Sequence, residues 1–323
     1  MTSLSTDGFA TGWLEYEKVL GQRPILKGSP QDIVDQFNGL GVALAAQAPP
    51  PDTSVETRDD TADGVPVRIY KSLDSGDQKL PIGVYYHGGG LLCGNIDGED
   101  AWCRFIAKAT PCIIVSVDYR LSQTDKFPAQ LDDSMKAYHW VLKNASTLNA
   151  LPNKIFTIGA SAGGGLALGV ADQLIKSGSR SKICGVVGLV PVTAHPSNVP
   201  EKYKSIYNSY EENKTDVPII DADSMATFFQ ASAVDFKDEK AFVVLSKDLK
   251  EFPPVYIATC GKDPLRDDGV VLEAMLNDLG VPTKRDHYEG EPHYFWLFPG
   301  IQGGVEFLEN VAKGAQWVLG AGS

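Results

Sequence analysis

The chain has 323 residues, 43% of them hydrophobic, and a formal net charge of −12 at pH 7. This length and composition predict one large α/β domain with an additional cap, and the negative charge argues against nucleic acid as a partner because phosphates would be repelled. No apolar run reaches the roughly 18 residues of a membrane span, and the first seven residues lack the basic and apolar blocks of a secretory leader. We therefore expect a cytoplasmic protein, monomeric or homodimeric, that does not contact membranes.

Helical, amphipathic patterns cover residues 12–20 and 30–46 and end at three consecutive prolines, 49–51. We interpret residues 1–52 as the N-terminal half of a helical cap, and residues 53–323 as the catalytic domain. Strand-like segments follow at residues 53–58, 65–72, 82–86 and 113–117, with helices between the later ones. Alternating strands and helices predict an α/β fold with a mostly parallel central sheet and helices on both faces.

A glycine-rich run, His87-Gly88-Gly89-Gly90, directly follows the predicted strand at residues 82–86. Successive glycines expose backbone N–H groups, which stabilise the negative charge that develops on a carbonyl oxygen during acyl transfer. The run lacks the spacing and the Lys-Ser/Thr ending of a phosphate-binding loop. We predict Gly88, Gly89 and Gly90 as oxyanion-hole donors and His87 as the residue that orders their loop.

The segment Gly159-Ala160-Ser161-Ala162-Gly163 lies between an apolar strand, residues 154–158, and a small-residue helix. A G-x-S-x-G pattern at a strand-to-helix turn is typical of a nucleophile elbow, where a strained turn exposes the serine. Close packing of a glycine-rich helix start would leave the same pattern. We predict Ser161 as the nucleophile and the N–H of Ala162 as a further oxyanion-hole donor.

The alternation of strands and helices breaks after the apolar segment 183–190, for about sixty residues of mixed aromatic, charged and helical sequence. We interpret residues from about 195 to 250 as an insertion that completes the cap. Its aromatic residues include Tyr207, Tyr210, Phe228 and Phe229. These side chains either line an acyl or alcohol pocket or pack against one another.

The orienting carboxylate is expected just past the apolar strand 254–260, because open α/β sheets assemble their sites at the carboxyl ends of strands. Asp263 is the first carboxylate there, and Asp267 and Asp268 follow it. We predict Asp263 as the catalytic acid, and we expect Asp267 and Asp268 to cap the next helix, residues 269–279.

The general base is expected to follow the acid, in the chain order serine, carboxylate, histidine. Of the five histidines, only His287 and His293 satisfy that order. His287 lies inside the strand-like run 283–288, whereas His293 lies in a loop just beyond it, where a side chain can reach the serine. We predict His293 as the base and His287 as a strand residue.

These motifs, taken in order, resemble those of the hormone-sensitive-lipase-like family of α/β-hydrolases, which carry H-G-G-G, G-x-S-A-G-G, D-P-L-x-D-x and a histidine followed two residues later by Phe. The resemblance implies an α/β-hydrolase fold and a serine carboxylesterase that cleaves small-molecule esters with short acyl chains through an acyl-serine. The mechanism requires no metal or organic cofactor. The chain departs from the family pattern at Gln130, where Glu is usual, and at Tyr294, where Gly is common and where we expect an altered pocket mouth.

The connection near residues 199–203 is similar to that of fungal members of the versiconal hemiacetal acetate esterase type, which remove acetyl groups from secondary metabolites. Two other kinds of function stay open on the sequence. One is an acyltransferase, or a lactonase or cyclase-like enzyme, on the same scaffold. The other is a non-catalytic ligand-binding protein, similar to plant receptors that have lost the catalytic histidine. The five cysteines show no metal-binding spacing, and we expect them to be reduced core residues.

Overall fold

A computed structural model describes residues 3–320 of the chain, and its centre is one sheet of eight strands. The strands are β1 (Val55–Ala62), β2 (Val65–Ser72), β3 (Leu80–Tyr86), β4 (Ile113–Val117), β5 (Ala150–Ala160), β6 (Gly185–Leu189), β7 (Val255–Lys262) and β8 (Thr283–Pro292). Their order across the sheet is β1-β2-β4-β3-β5-β6-β7-β8. The pairs β1–β2 and β2–β4 are antiparallel and the other five pairs are parallel, which confirms the predicted sheet.

The strands differ in burial according to their place in the sheet. Every residue of β4 and β6 is buried, as expected for parallel strands that are covered on both faces. In β1, by contrast, only the first and last residues are buried, because it is the edge strand. β1 also extends four residues past its predicted end, up to a two-residue hairpin turn in which both Asp63 and Gly64 have positive φ.

Helices cover both faces of the sheet. They are α1 (Thr11–Leu20), α2 (Pro30–Ala45), α3 (Asp100–Ala109), α4 (Ala129–Asn144), α5 (Ala162–Lys176), α6 (Ser209–Glu212), α7 (Ala222–Ser232), α8 (Arg266–Asp278) and α9 (Gln302–Gly320). Trp102 of α3 and Phe307 of α9 belong to the core on one face. Tyr138 of α4, Leu166 of α5 and Leu272 of α8 belong to the core on the other.

Two segments outside the sheet contact each other: the N-terminal helices, and the connection between β6 and β7 that contains α6 and α7. Their backbones pair directly, because Leu26 N–H donates to the carbonyl of Ile219 at 2.9 Å and Ile219 N–H donates to the carbonyl of Pro24 at 2.6 Å. α2 begins with a capping box in which Ser29 and Asp32 exchange hydrogen bonds. The N-terminal segment and the β6–β7 connection are thus joined by backbone hydrogen bonds.

The five cysteines are unpaired, and four of them are buried, Cys184 being partly exposed. Burial raises the pKa of the Cys112 thiol well above its ordinary value and that of Cys93 to about 12, so both stay protonated at neutral pH. None of the helices in residues 3–320 is both long enough and apolar enough to cross a membrane.

Candidate active site

Ser161 occupies the turn between β5 and α5 in a backbone conformation that side-chain-bearing residues rarely adopt, with φ 56° and ψ −121°. The flanking glycines make this turn possible. A Cβ on Gly159 would lie 2.2 Å from the carbonyl oxygen of Gly163, and a Cβ on Gly163 would lie 2.0 Å from that of Tyr86. No side chain fits at either position, so this turn requires glycine at residues 159 and 163.

The backbone of Ser161 is also fixed by hydrogen bonds. Its N–H donates to the carbonyl of Leu189 at 2.8 Å, and its carbonyl accepts from the N–H groups of Gly165 and Val192, each at 3.1 Å. The side chain thus sits on a turn that is anchored to the end of β6 and to α5. Such anchoring holds a nucleophile in place before substrate arrives.

Asp263 and His293 meet although thirty residues separate them, because each follows a strand, β7 or β8, at the same edge of the sheet. His293 Nδ1 lies 2.7 Å from Asp263 Oδ2, and both residues are buried, with exposed fractions of 2% and 0%. The other oxygen, Oδ1, accepts from Leu265 N–H at 2.8 Å. A carboxylate can only accept, so Nδ1 carries the hydrogen and Nε2 is left as the basic nitrogen.

Asp267 and Asp268 do not cap a helix, which corrects the prediction for them. α8 begins three residues earlier than expected, at Arg266, and no side chain caps it. The carboxylates instead bind backbone N–H groups of the β6–β7 connection. Asp267 accepts from Asn208 and Ser209, both at 2.7 Å.

Asp268 binds the same connection nearer its start. It accepts from Thr193 N–H at 2.8 Å, from Ala194 N–H at 2.9 Å and from the hydroxyl of Tyr207 at 2.8 Å. Burial raises the pKa of Asp268 to about 7, although the hydrogen bonds from these donors lower it. Asp267 and Asp268 therefore anchor the connection to α8.

The other candidate base, His287, lies in β8 as predicted. Its ring contacts Thr259 Oγ1 and Glu289 Oε2, both at 3.0 Å. His195 stacks on Phe236 with ring centroids 3.7 Å apart, and His139 is exposed on α4. None of these three is paired with Asp263.

The H-G-G-G run forms a tight loop after β3, and His87 orders it as predicted. The His87 ring stacks on Tyr119 with centroids 4.1 Å apart, and its Nδ1 bonds the carbonyl of Gly88 at 2.8 Å. Burial lowers the pKa of His87 to about 4, so the ring is neutral at physiological pH. Gly89 and Gly90 have positive φ, and a Cβ on either would collide with Cys93 or Phe228.

The loop leaves only part of its backbone free to bind an oxyanion. Gly88 N–H already donates to Glu99 Oε1 at 3.0 Å. The N–H groups of Gly89, Gly90 and Ala162 donate to no acceptor within residues 3–320. Three of the four predicted donors therefore have N–H groups without an acceptor in residues 3–320, whereas that of Gly88 is bound to Glu99; which of them bind an oxyanion stays a prediction.

Glu99 is the site residue that sequence reasoning missed. It is a buried carboxylate just before α3, and it accepts from Gly88 N–H and from the hydroxyls of Tyr85 and Tyr294. In the sequence it looks like an acidic residue at the start of an amphipathic helix, so nothing marks it out. The Tyr294 hydroxyl donates to Glu99 at 3.0 Å, and the altered pocket mouth expected from this residue stays a prediction.

A small apolar cavity of about 50 Å³ lies beside Gly90 and Ala162. Its wall includes Met225, Phe228 and Phe229 of α7, so two of the four aromatic candidates line it. The other two, Tyr207 and Tyr210, stack on each other with centroids 5.9 Å apart. A water needs roughly 10–15 Å³ on this scale, so the cavity has room for only a few heavy atoms.

Clusters of His, Cys, Asp or Glu that could hold a metal ion do not occur in the described part of the chain, residues 3–320. Asp263 is paired with His293, and Glu99 and Asp268 accept hydrogen bonds from backbone N–H groups and tyrosine hydroxyls.

Comparison with known proteins places this geometry in context. Residues 83–297 match the alpha/beta hydrolase fold family. The chain is 45% identical to the versiconal hemiacetal acetate esterase of Dothistroma septosporum, an alignment that covers 96% of this chain and 95% of the other.

Two solved structures are also similar to this chain in fold. An esterase of Pyrobaculum calidifontis is similar with a TM-score of 0.81 and 28% identity, covering 99% of each chain. Vibralactone cyclase is similar with a TM-score of 0.85 and 26% identity, covering 99% of this chain and 98% of the other.

Proposed function

The chain belongs to the alpha/beta hydrolase fold family and is a carboxylic ester hydrolase, and from that premise we propose that Ser161, His293 and Asp263 form its catalytic triad. The observation that carries the proposal is the buried 2.7 Å hydrogen bond between His293 Nδ1 and Asp263 Oδ2. This bond leaves His293 Nε2 free to act as a base. Ser161 lies in a strained turn that follows β5 at the same edge of the sheet.

The reaction begins when Ser161 Oγ attacks the ester carbonyl carbon and His293 Nε2 takes the hydroxyl proton. The carbonyl oxygen becomes an oxyanion, which the N–H groups of Gly89, Gly90 and Ala162 bind. Asp263 stabilises the imidazolium through Nδ1 and does not take the proton.

The tetrahedral intermediate then breaks its bond to the leaving alkoxide, which receives the proton held by His293 and departs as an alcohol. Water next attacks the acyl-serine while His293 removes one of its protons. The second tetrahedral intermediate releases the carboxylic acid, and His293 returns the proton to Ser161. The cycle uses only groups of this chain and water.

The substrate class follows from the cavity beside the oxyanion donors. Its volume of about 50 Å³ fits an acetyl or similarly short acyl group, and its apolar wall suits a hydrocarbon chain. The relative from Dothistroma septosporum is named for an acetate ester. We therefore extend the proposal to acetyl esters of small, hydrophobic secondary metabolites.

The proposal includes a division of the chain: residues 1–52, together with an insertion from about 195 to 250, form a cap over the catalytic domain. Backbone pairing of Leu26 with Ile219 supports treating the two pieces as one unit. The contact of Phe228 with Gly90 supports its position above the oxyanion loop.

Ester hydrolysis by wild type and Ser161→Ala tests the proposal directly. We expect p-nitrophenyl acetate to be cleaved faster than longer esters, up to palmitate, and Ser161→Ala to lose this activity while keeping its fold. Ser177→Ala, at the far end of α5, is the matched control and should behave as wild type. Equal hydrolysis by Ser161→Ala would remove the serine from the mechanism.

A second function, intramolecular or intermolecular acyl transfer, is favoured by one observation, the similarity to vibralactone cyclase. Both functions share the acyl-serine and differ in the acceptor that attacks it. Intact-protein mass after an organophosphate reports a live nucleophile, and added alcohols report transfer. An adduct without hydrolysis would favour transfer, and failure to form an adduct would favour a binding protein.

A further inference from the structure

Glu99 links three parts of the site that the chain presents separately. Its Oε1 accepts from Gly88 N–H at 3.0 Å and from the Tyr294 hydroxyl at 3.0 Å, and its Oε2 accepts from the Tyr85 hydroxyl. Tyr85 lies in β3, Gly88 begins the oxyanion loop, and Tyr294 directly follows His293. One carboxylate therefore connects the oxyanion donors to the loop that carries the base.

Tyr294 and Gly88 are also in direct steric contact. A Cβ on Gly88 would lie 2.0 Å from the Tyr294 hydroxyl oxygen, so the loop can approach only because residue 88 is glycine. Tyr294 itself has a positive φ of 62°, in the left-handed region that residues with side chains rarely adopt. The left-handed backbone of Tyr294 and the lack of a side chain at Gly88 together allow the Tyr294 phenol to lie against the glycine loop.

We infer that Glu99 and Tyr294 form a positioning clamp, which sets the distance between the oxyanion donors of the H-G-G-G loop and the His293 base. The inference rests on the proposed function, since it assigns these residues to the same reaction. Neither residue touches the reacting atoms in this assignment. They act through Gly88 and through the backbone that follows His293.

The clamp works best when Glu99 is ionised. Three donors converge on its two oxygens, and an ionised carboxylate is an acceptor only, so all three can be satisfied. The titratable groups that face it are Tyr85 from β3, Cys103 from α3, Tyr119 after β4, and Tyr294. Burial raises the pKa of Cys103, Tyr119 and Tyr294 well above the ordinary values, so these three groups are neutral at pH 7. No Lys or Arg within residues 3–320 is paired with Glu99.

Protonation therefore weakens the clamp. A protonated Glu99 no longer carries the negative charge that strengthens the hydrogen bonds from Gly88 N–H and the Tyr294 hydroxyl to its Oε1. Burial raises the pKa of Glu99 to about 7, which puts this change within the physiological range. Above that pH, ionised Glu99 holds the H-G-G-G loop in place. As the pH falls through about 7, Glu99 becomes protonated and the clamp loosens.

The test compares Glu99→Ala, Glu99→Gln and Tyr294→Phe with wild type on p-nitrophenyl acetate. We expect Glu99→Ala to lower kcat about 10- to 100-fold, since small misplacements of catalytic groups have effects of that size. KM should change less, because the oxyanion donors act mainly in the transition state. Tyr294→Phe should fall between Glu99→Ala and wild type, because the Gly88–Glu99 bond remains.

Glu99→Gln tests the pH dependence of kcat/KM, which a purely structural role of Glu99 would not change. Its amide keeps an acceptor for Gly88 and Tyr294 but cannot take up a proton near neutral pH. We expect partial rescue relative to Glu99→Ala, and a smaller loss of kcat/KM between about pH 8 and pH 6 than in wild type. Asp97→Asn, a nearby exposed carboxyl that pairs with Arg68, and Tyr288→Phe, a tyrosine earlier in β8, are the matched controls and should follow the wild-type profile.

Folding and labelling make the outcome decisive. If Glu99→Ala does not fold, Glu99→Gln and Tyr294→Phe decide alone. The inference is overturned if folded variants keep kcat within about twofold of wild type and the same pH profile. If wild type cleaves no ester, the proposed function fails separately, and rates of fluorophosphonate labelling at Ser161 still decide the clamp because the same donors assist that reaction.

Discussion

The sheet edge that carries Ser161, Asp263 and His293, here called the catalytic edge, is held differently from the proposed cap above it. At the catalytic edge the backbone is fixed by close contacts that exclude any side chain, as at Gly159 and Gly163. The cap is held by carboxylates of α8 that bind its backbone N–H groups and by one short backbone pairing.

This difference separates two tasks. A Cβ added at these glycines would lie near 2 Å from a carbonyl oxygen, so the backbone there accepts no side chain. Such a fixed backbone suits groups that must be placed to within a fraction of an ångström. We therefore expect the catalytic edge to set the reaction and the proposed cap to select the substrates that reach it.

The largest expected effect breaks the chemistry of the catalytic edge. His293→Ala should lower kcat about 10⁴-fold or more, because both the base and the partner of Asp263 are lost. His287→Ala removes a histidine within β8, which bonds Thr259 and Glu289 instead of Asp263. We expect that control to keep near-normal kcat on p-nitrophenyl acetate. The reverse pattern would move the base to His287.

The next effect contrasts glycines of the two regions. Gly163→Ala should destabilise the protein by about 1–3 kcal/mol and lower activity, because its Cβ would meet the carbonyl oxygens of Tyr86 and His87. Gly39→Ala in α2 meets nothing within 4 Å and should stabilise by roughly 0.5–1 kcal/mol, since alanine favours a helix interior. Thermal unfolding of both variants measures the contrast, and equal destabilisation would contradict it.

The smallest effect changes the wall of the acyl cavity. Phe228→Leu should enlarge the cavity and shift the ratio of hexanoate to acetate hydrolysis about tenfold toward hexanoate, the scale of one or two methylenes in an apolar pocket. Phe236→Leu is the control, because Phe236 stacks on His195 and does not itself line the cavity. Unchanged chain-length preference in Phe228→Leu would show that α7 does not form the acyl site.

Most of the fold was predictable because its patterns are local. The strands at residues 65–72 and 113–117 have the predicted bounds, and the helices near residues 12–20 and 30–46 differ by one residue at an end. β5 is longer than predicted, since it begins at Ala150 and the added part includes the exposed Pro152 and Asn153. Pairing of Ala150 with Leu80 of β3 extends it there.

By itself the sequence determined the strained turn at Ser161, the glycine loop after β3 and the chain order of acid and base candidates. Each depends on short-range sterics or on connectivity, which the residues spell out directly. Only the tertiary structure decided that Gly88 N–H belongs to Glu99, that Asp267 and Asp268 bind the β6–β7 connection, and that Tyr294 points inward. These outcomes join groups that are distant in the chain, and a buried polar group takes whichever partner the fold brings within reach.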